Sequence, residues 1–118
     1  MQVTSAEIKA FLRGFKEKMK IWSILFRDDR GKNFQTLLDL EIRPDDRKKI
    51  IASLKAEDYC EGPLNDTLNK GSDMWIFGRQ VKDQEIYIKI TMGDQGMSVI
   101  CISFHIAEHK MRYPLKTE

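Results

Sequence analysis

The fold is decided by residues 85–105, which read EIYIKITMGDQGMSVICISFH. Apolar and polar side chains alternate on both sides of the central GDQG, a pattern typical of two half-buried strands joined by a turn. The glycines at positions 93 and 96 suit this turn because they adopt positive φ angles without strain. The stretch therefore predicts a β-hairpin with strands at residues 85–92 and 98–105.

The isoleucines indicate how the two strands pair. A slip of one residue would exchange the two faces of a strand, so burial determines the register. Pairing Ile88 with Ile100 gathers the isoleucines on one face and leaves a three-residue loop with Gly96 at the bulge position. Ile86 then lies opposite Ile102. The alternation places Ile100, Ile102 and Phe104 together, and it gives the other face Tyr87, Lys89, Val99, Cys101, Ser103 and His105.

Helical patterns precede the hairpin. Residues 4–20 have apolar side chains at helical spacing, and Thr4 with Glu7 fits a capping box. Pro44 is suited to the first position of a second helix that reaches Leu54. The other predicted elements are a strand at 21–27, a turn at 28–33, a short helix at 34–41, a long loop at 55–72 and a strand at 74–80. The sequence thus predicts an α+β fold with N-terminal helices packed on a twisted, mainly antiparallel sheet formed largely by the C-terminal half.

Composition points to one ordinary globular domain. The 118 residues are 42% hydrophobic and 32% charged, with a net charge of +2, which predicts a single domain over 1–118. No run approaches the ~20 apolar residues that a membrane span needs, and the first residues lack the pattern of a signal peptide. With Cys60 and Cys101 expected to be free thiols, we predict a cytoplasmic protein without membrane contact.

A site for phosphodiester chemistry is predicted on the polar face of the hairpin. Metal-free RNA cleavage needs a base for the 2′-hydroxyl, an acid for the leaving oxygen and cations near the phosphate. His105 can transfer protons near neutral pH, Lys89 can neutralise charge and Tyr87 can donate a proton. The alternative interpretation is a surface histidine beside a solvated lysine.

Other residues have one structural and one substrate-binding interpretation each. A basic stripe on the first helix is either a solvated face or a phosphate track. Trp75 lies on a strand face with Phe77 and either stacks on bases or fills the core. The candidate substrate-binding residues are Lys9, Arg13, Lys16, Lys20, Trp75, Arg79, Arg112 and Tyr113.

The segment from His105 to His109 matches the H-x-x-E-H pattern of inverted zinc peptidases. That chemistry needs both histidines on one helical turn and a third ligand downstream. His105 is predicted to end a strand, and Glu118 is the only later carboxylate. A zinc hydrolase is therefore a distant alternative, and no metal or other cofactor is expected.

An ordered series of residues resembles the MqsR family of toxins from type II toxin–antitoxin operons. The series comprises Asp58-Tyr59 with Gly62-Pro63, Met74-Trp75 with Phe77-Gly78, Ile86-Tyr87-Ile88-Lys89, Ser103-Phe104-His105 and Tyr113-Pro114. The resemblance implies a bacterial protein with a RelE-like fold that cleaves mRNA without a metal. It also implies inhibition by a cognate antitoxin that joins a zinc ribbon to a helix-turn-helix repressor.

The family's polar positions are partly kept. Of four such positions the strand tyrosine is kept as Tyr87, followed by Lys89. The other three differ: His105 and Glu61 stand where the best-known member has lysines, and Ile76 stands where it has a glutamine. The resemblance then implies catalytic roles for His105, Lys89 and Tyr87, with Glu61 as the acid/base counterpart of His105. The rival interpretation is a catalytically silent binding protein of the same fold. Convergence of Tyr87, Lys89 and His105 in an open groove would favour the nuclease.

Overall fold

The computed structural model describes residues 3–29, 31–66 and 71–116. Its elements follow in the order α1 (Ser5–Trp22), β1 (Ile24–Phe26), α2 (Gly31–Leu40), α3 (Asp46–Ala52), a 3₁₀ turn (Ala56–Asp58), β2 (Tyr59–Leu64), β3 (Met74–Val81), β4 (Gln84–Thr91) and β5 (Val99–Ile106). The strands form one sheet in the order β1-β5-β4-β3-β2. Only the β1–β5 pair among these is parallel. The predicted α+β class is confirmed.

The start of α1 is as predicted. The Glu7 amide donates to the Thr4 hydroxyl at 3.2 Å, and the Glu7 carboxylate accepts from the Thr4 amide. The apolar stripe of α1 packs on one face of the sheet, where the Phe11 ring stacks on Trp75 with centroids 4.4 Å apart. The core contains Ile8, Leu12, Phe15, Met19, Phe77, Ile86, Ile88, Ile90 and Phe104.

Four predicted elements differ from the structure in their boundaries or content. Residues 21 and 22 continue α1, so the strand predicted over 21–27 shrinks to β1. The turn predicted at 28–33 ends early because α2 already begins at Gly31, and the helix predicted over 44–54 covers only α3. The loop predicted over 55–72 contains the 3₁₀ turn and β2, whereas its residues 67–70 lie outside the described part of the chain.

Strand β2 was not predicted from the sequence, because it contains a glycine and a proline. Gly62 has a φ of 125°, and a Cβ there would lie 2.9 Å from the Met74 carbonyl oxygen. The pairing of β2 with β3 is accordingly irregular, with register shifts on both sides of Glu61. Such an edge strand has neither the regular alternation nor the composition by which strands are recognised.

The predicted hairpin register is wrong, but four of the residues predicted to share its polar face do share one face. Residues 92–98 form the loop, and the Lys18 ammonium holds it by donating to the carbonyls of Met92 and Asp94. Ile88 therefore pairs with Phe104 instead of Ile100. Tyr87 lies opposite His105, and Lys89 lies opposite Ser103, so these four residues do share a face.

A bulge at Ile102 corrects the predicted faces of β5. Lys89 pairs with Ser103 but Ile90 pairs with Cys101, so Ile102 is an extra residue between them. The bulge turns Val99 and Cys101 into the core, where they are 0% and 1% exposed. Strict alternation had placed both on the polar face.

Among the described residues, no helix combines the length and apolar character that a membrane crossing requires.

Candidate active site

An open groove of about 770 Å³ lies on the sheet face opposite α1. Its floor follows from strand alternation: Trp75 and Phe77 point to α1, so Ile76 points into the groove. The predicted catalytic residues Glu61, Tyr87, Lys89 and His105 all line it. The other lining residues are Gly31, Lys32, Cys60, Ile76, Ser103, Glu108, His109, Lys110, Met111 and Arg112.

His105 is oriented by its neighbours. Its ring stacks on Tyr87 with centroids 5.1 Å apart and an angle of 11° between the planes. Its Nδ1 lies 3.0 Å from the Ile106 carbonyl oxygen. Because a carbonyl oxygen only accepts, Nδ1 must carry the hydrogen in this bond. Nε2 is therefore the ring nitrogen that can exchange a proton with a substrate.

Lys89 brings a positive charge next to this stack. Its Nζ lies 6.0 Å from the centroid of the Tyr87 ring, within cation–π range. The ion pairs among the described residues do not include Lys89. Its ammonium group is thus suited to neutralise an anionic group bound over the floor of the groove.

Glu61 approaches from the other side of the groove. It pairs with Ile76, which pairs with Lys89, which pairs with Ser103, so the four residues form one row across β2 to β5. Strands lie about 4.8 Å apart, so the backbones of β2 and β5 are separated by about 14 Å. Glu61 and His105 thus line opposite sides of the groove.

Tyr87 remains a proton donor at neutral pH. Burial raises the pKa of its hydroxyl, and the Glu61 carboxylate and the Cys60 thiol raise it further. The Cys60 thiol, which also lines the groove, has its pKa raised to about 12, mainly by burial and then by Glu85 and Asp58. Neither group is arranged to act as a nucleophile near pH 7.

Several groove residues had no role in the sequence-based prediction. Lys32, at the start of α2, pairs with Glu108 at 2.9 Å across the groove wall. Lys110 follows in the segment after β5, and His109 had been considered only as a zinc ligand. No local sequence pattern could predict that Lys32 lines the groove, because its partner there, Glu108, is 76 positions later in the sequence.

The predicted substrate-binding residues are distributed over both faces. Arg112 lines the groove. Trp75 is 9% exposed and packs in the core against Phe11, on the opposite face. Arg79 donates to Asp58 at 2.7 Å and to the Ser53 carbonyl. The Tyr113 hydroxyl donates to Glu85 at 2.8 Å.

The basic stripe of α1 does not reach the groove. Lys9, Arg13 and Lys16 line a separate cleft between α1 and residues 54–57. Lys16 donates to the Leu54 carbonyl at 2.6 Å, and burial, followed by the charge of Arg79, lowers its pKa. Lys20 lies in a third cleft beside Lys48 and Lys49 of α3. These residues are on the helical side of the sheet.

The zinc-peptidase pattern does not form its required helix. His105 lies in β5 and His109 in the irregular segment that follows, so the two histidines do not share a helical turn. Within residues 3–29, 31–66 and 71–116, no group of three His, Cys, Asp or Glu side chains is placed to hold a metal ion.

Comparisons of the chain with protein-family profiles, with curated proteins and with solved structures gave no match.

Proposed function

We propose that this protein is a metal-independent endoribonuclease that cleaves mRNA, with a RelE-like fold and the role of the toxin in a toxin–antitoxin pair. The observation that carries the proposal is the convergence of Glu61, Tyr87, Lys89 and His105 in one open groove. The MqsR resemblance supports it and adds the expected partner, an antitoxin with a helix-turn-helix and a zinc ribbon. It also implies that the protein acts in the bacterial cytoplasm.

The groove supplies the groups that this cleavage needs. Glu61 accepts the proton of the ribose 2′-hydroxyl, and the 2′-oxygen attacks the adjacent phosphorus. The bond from phosphorus to the 5′-oxygen breaks, and His105, acting as an imidazolium that carries a proton on both ring nitrogens, delivers its Nε2 proton to that oxygen. Lys89 and the Tyr87 hydroxyl stabilise the charge that develops on the phosphorane oxygens. The products are a 2′,3′-cyclic phosphate and a free 5′-hydroxyl.

A purified-enzyme assay with His105→Asn tests this chemistry. Asparagine keeps an N–H donor near the position of Nδ1 but has no counterpart of Nε2. We expect kcat on a fluorogenic RNA oligonucleotide to fall about 100- to 10,000-fold. The wild-type reaction should proceed in EDTA and leave cyclic phosphate termini. An Asn variant as active as wild type would remove His105 from the chemistry.

A growth assay after induced expression distinguishes the nuclease hypothesis from the hypothesis of a silent binding protein. The nuclease predicts arrest with mRNA decay for the wild type and normal growth for His105→Asn at equal levels of folded protein. Lys48→Ala, exposed on α3 and on the helical side of the sheet, serves as a control that should arrest growth like wild type. Normal growth and intact mRNA for all three would favour the silent binding protein.

A further inference from the structure

One wall of the groove is formed by the segment that follows β5. Residues 107–113, here called the wall segment, include Glu108, His109, Lys110, Met111 and Arg112, all of which line the groove. None of the wall segment belongs to a helix or strand. Its cations Lys110 and Arg112 are exposed. Their position over the groove therefore depends on how the segment is attached to the sheet.

Glu85 of β4 makes that attachment. One carboxylate oxygen accepts from the Met111 amide at 3.0 Å, and the other accepts from the Tyr113 hydroxyl at 2.8 Å. The Glu85 carbonyl also accepts from the Ala107 amide at 2.8 Å. A single residue thus holds the beginning and the end of the wall segment.

The sheet is shaped to receive the Tyr113 ring. The ring lies against Gly78 of β3, where a Cβ would overlap its hydroxyl oxygen and ring carbons. Burial, the bond to Glu85 and the charge of that carboxylate together raise the pKa of the Tyr113 hydroxyl. The hydroxyl therefore remains a donor to the carboxylate, and such charge-assisted bonds are about twice as strong as neutral ones.

We propose that Glu85 is a positioning residue that fixes the wall segment so that Lys110 and Arg112 bind the phosphates of the RNA next to the scissile one. This role rests on the proposed function, because it assigns the wall segment to the same substrate. Glu85 itself lies on the groove face of β4, two residues before Tyr87, but does not line the groove. It acts on substrate binding and leaves the proton-transfer groups in place.

The test compares Tyr113→Phe and Glu85→Gln with wild type. Tyr113→Phe keeps the ring over Gly78 and removes only the bond to the carboxylate. Loss of one charge-assisted hydrogen bond corresponds to about a tenfold change. We therefore expect KM for a short RNA to rise about tenfold in either variant while kcat stays near the wild-type value. Asp46→Asn is the control, since it removes a carboxylate that accepts from the Arg43 amide at the start of α3.

A double-mutant cycle distinguishes positioning from mere stabilisation. In the background of Lys110→Ala with Arg112→Ala, the effect of Tyr113→Phe on KM should largely disappear, because the cations it positions are gone. An unchanged effect in that background would overturn the proposal, as would a wild-type KM in Glu85→Gln. Urea unfolding of each variant identifies any loss that comes from a destabilised fold.

Different results would refute the positioning role of Glu85 and the proposed nuclease function. Binding is measured separately with a fluorescent RNA in which 2′-O-methyl groups prevent cleavage. If wild type neither binds this probe nor cleaves RNA, the proposed function fails and Glu85 loses this role with it. If wild type cleaves and the Glu85 and Tyr113 variants bind the probe as tightly, only the positioning role is wrong.

Discussion

Cys60 lies in the groove, yet its surroundings keep the thiol in the protonated form. Burial has the largest effect on its pKa, and the carboxylates of Glu85 and Asp58 add to it, giving a value of about 12. The nearest hydrogen-bond partner of its Sγ is the Asp58 carbonyl oxygen, at 3.6 Å. Since the thiolate is the reactive species, the environment protects this cysteine from alkylation and oxidation.

We predict that iodoacetamide alkylates Cys60 at pH 8 more than about a hundredfold more slowly than it alkylates a free cysteine. The rate rises with pH because the pKa is raised: the thiolate fraction grows about tenfold for each pH unit as the pH approaches 12. The rate at Cys60 should therefore still be rising at pH 10, where a free thiol has levelled off. Mass spectrometry of the Cys60 peptide over this range measures it, and a plateau near pH 8 would contradict the prediction.

At the scale of elements, side chains of α2 bond to the part of the β5 edge that the short strand β1 does not pair with. Asn33 is 1% exposed, and its side-chain amide donates to the carbonyls of Arg27 and Ile102. Its Oδ1 accepts from the Phe104 amide at 3.0 Å. The Thr36 hydroxyl accepts from the Ile106 amide. Side chains thus satisfy the backbone groups that a further strand would otherwise bind, and they fix β5 where it carries His105.

Replacing Asn33 with Ala should destabilise the fold strongly. The change leaves buried backbone groups without partners, and each such group costs about 1–3 kcal/mol. We expect the free energy of unfolding, measured by urea denaturation, to fall by about 3 kcal/mol or more. Gln35→Ala is the matched control in the same helix, because the Gln35 side chain is exposed and, within the described residues, donates to Asp39 alone. A similar loss in both variants would refute the role assigned to Asn33.

The sequence identified these elements where the signal was local. The α1 capping box and the alternation of β3, β4 and β5 depend on neighbours within a few residues, and they predicted the helical start and the strands. At the bulge, the Ile102 carbonyl accepts from the Asn33 side chain, and Lys18 of α1 holds the hairpin loop. The pairing of β2 likewise involves β3. Both features involve contacts over long sequence distances, so no local pattern contains them.

The same distinction applies to the candidate site. Tyr87 and Lys89 could be placed with Ser103 and His105 because a register change of four residues preserves which faces meet. Arg112 lines the groove, whereas Trp75 does not, because only the packing of Phe11 shows which face of β3 is the core. Glu61 had come from the resemblance alone. The structure places it on β2, a strand that the sequence had not indicated.

At the scale of the molecule, the sheet separates two positively charged surfaces. The groove has Lys32, Lys89, Lys110 and Arg112 on one side, and the α1 stripe has Lys9, Arg13, Lys16 and Lys20 on the other. An α-helix with its side chains is about 10 Å across, and charges are screened over about 8 Å at physiological ionic strength. The stripe is therefore electrically remote from a short RNA in the groove.

This separation predicts how the stripe contributes to cleavage. At physiological salt, Lys9→Ala combined with Arg13→Ala should leave kcat/KM for a short oligonucleotide unchanged, whereas Lys89→Ala should lower it about 10- to 100-fold. At about 10 mM salt the screening length reaches about 30 Å, so the stripe variant should then bind long RNA more weakly. Kinetics at both salt concentrations test this. If the stripe variant already loses activity on the short RNA at physiological salt, the substrate extends onto the helical face, and the groove is only part of the binding surface.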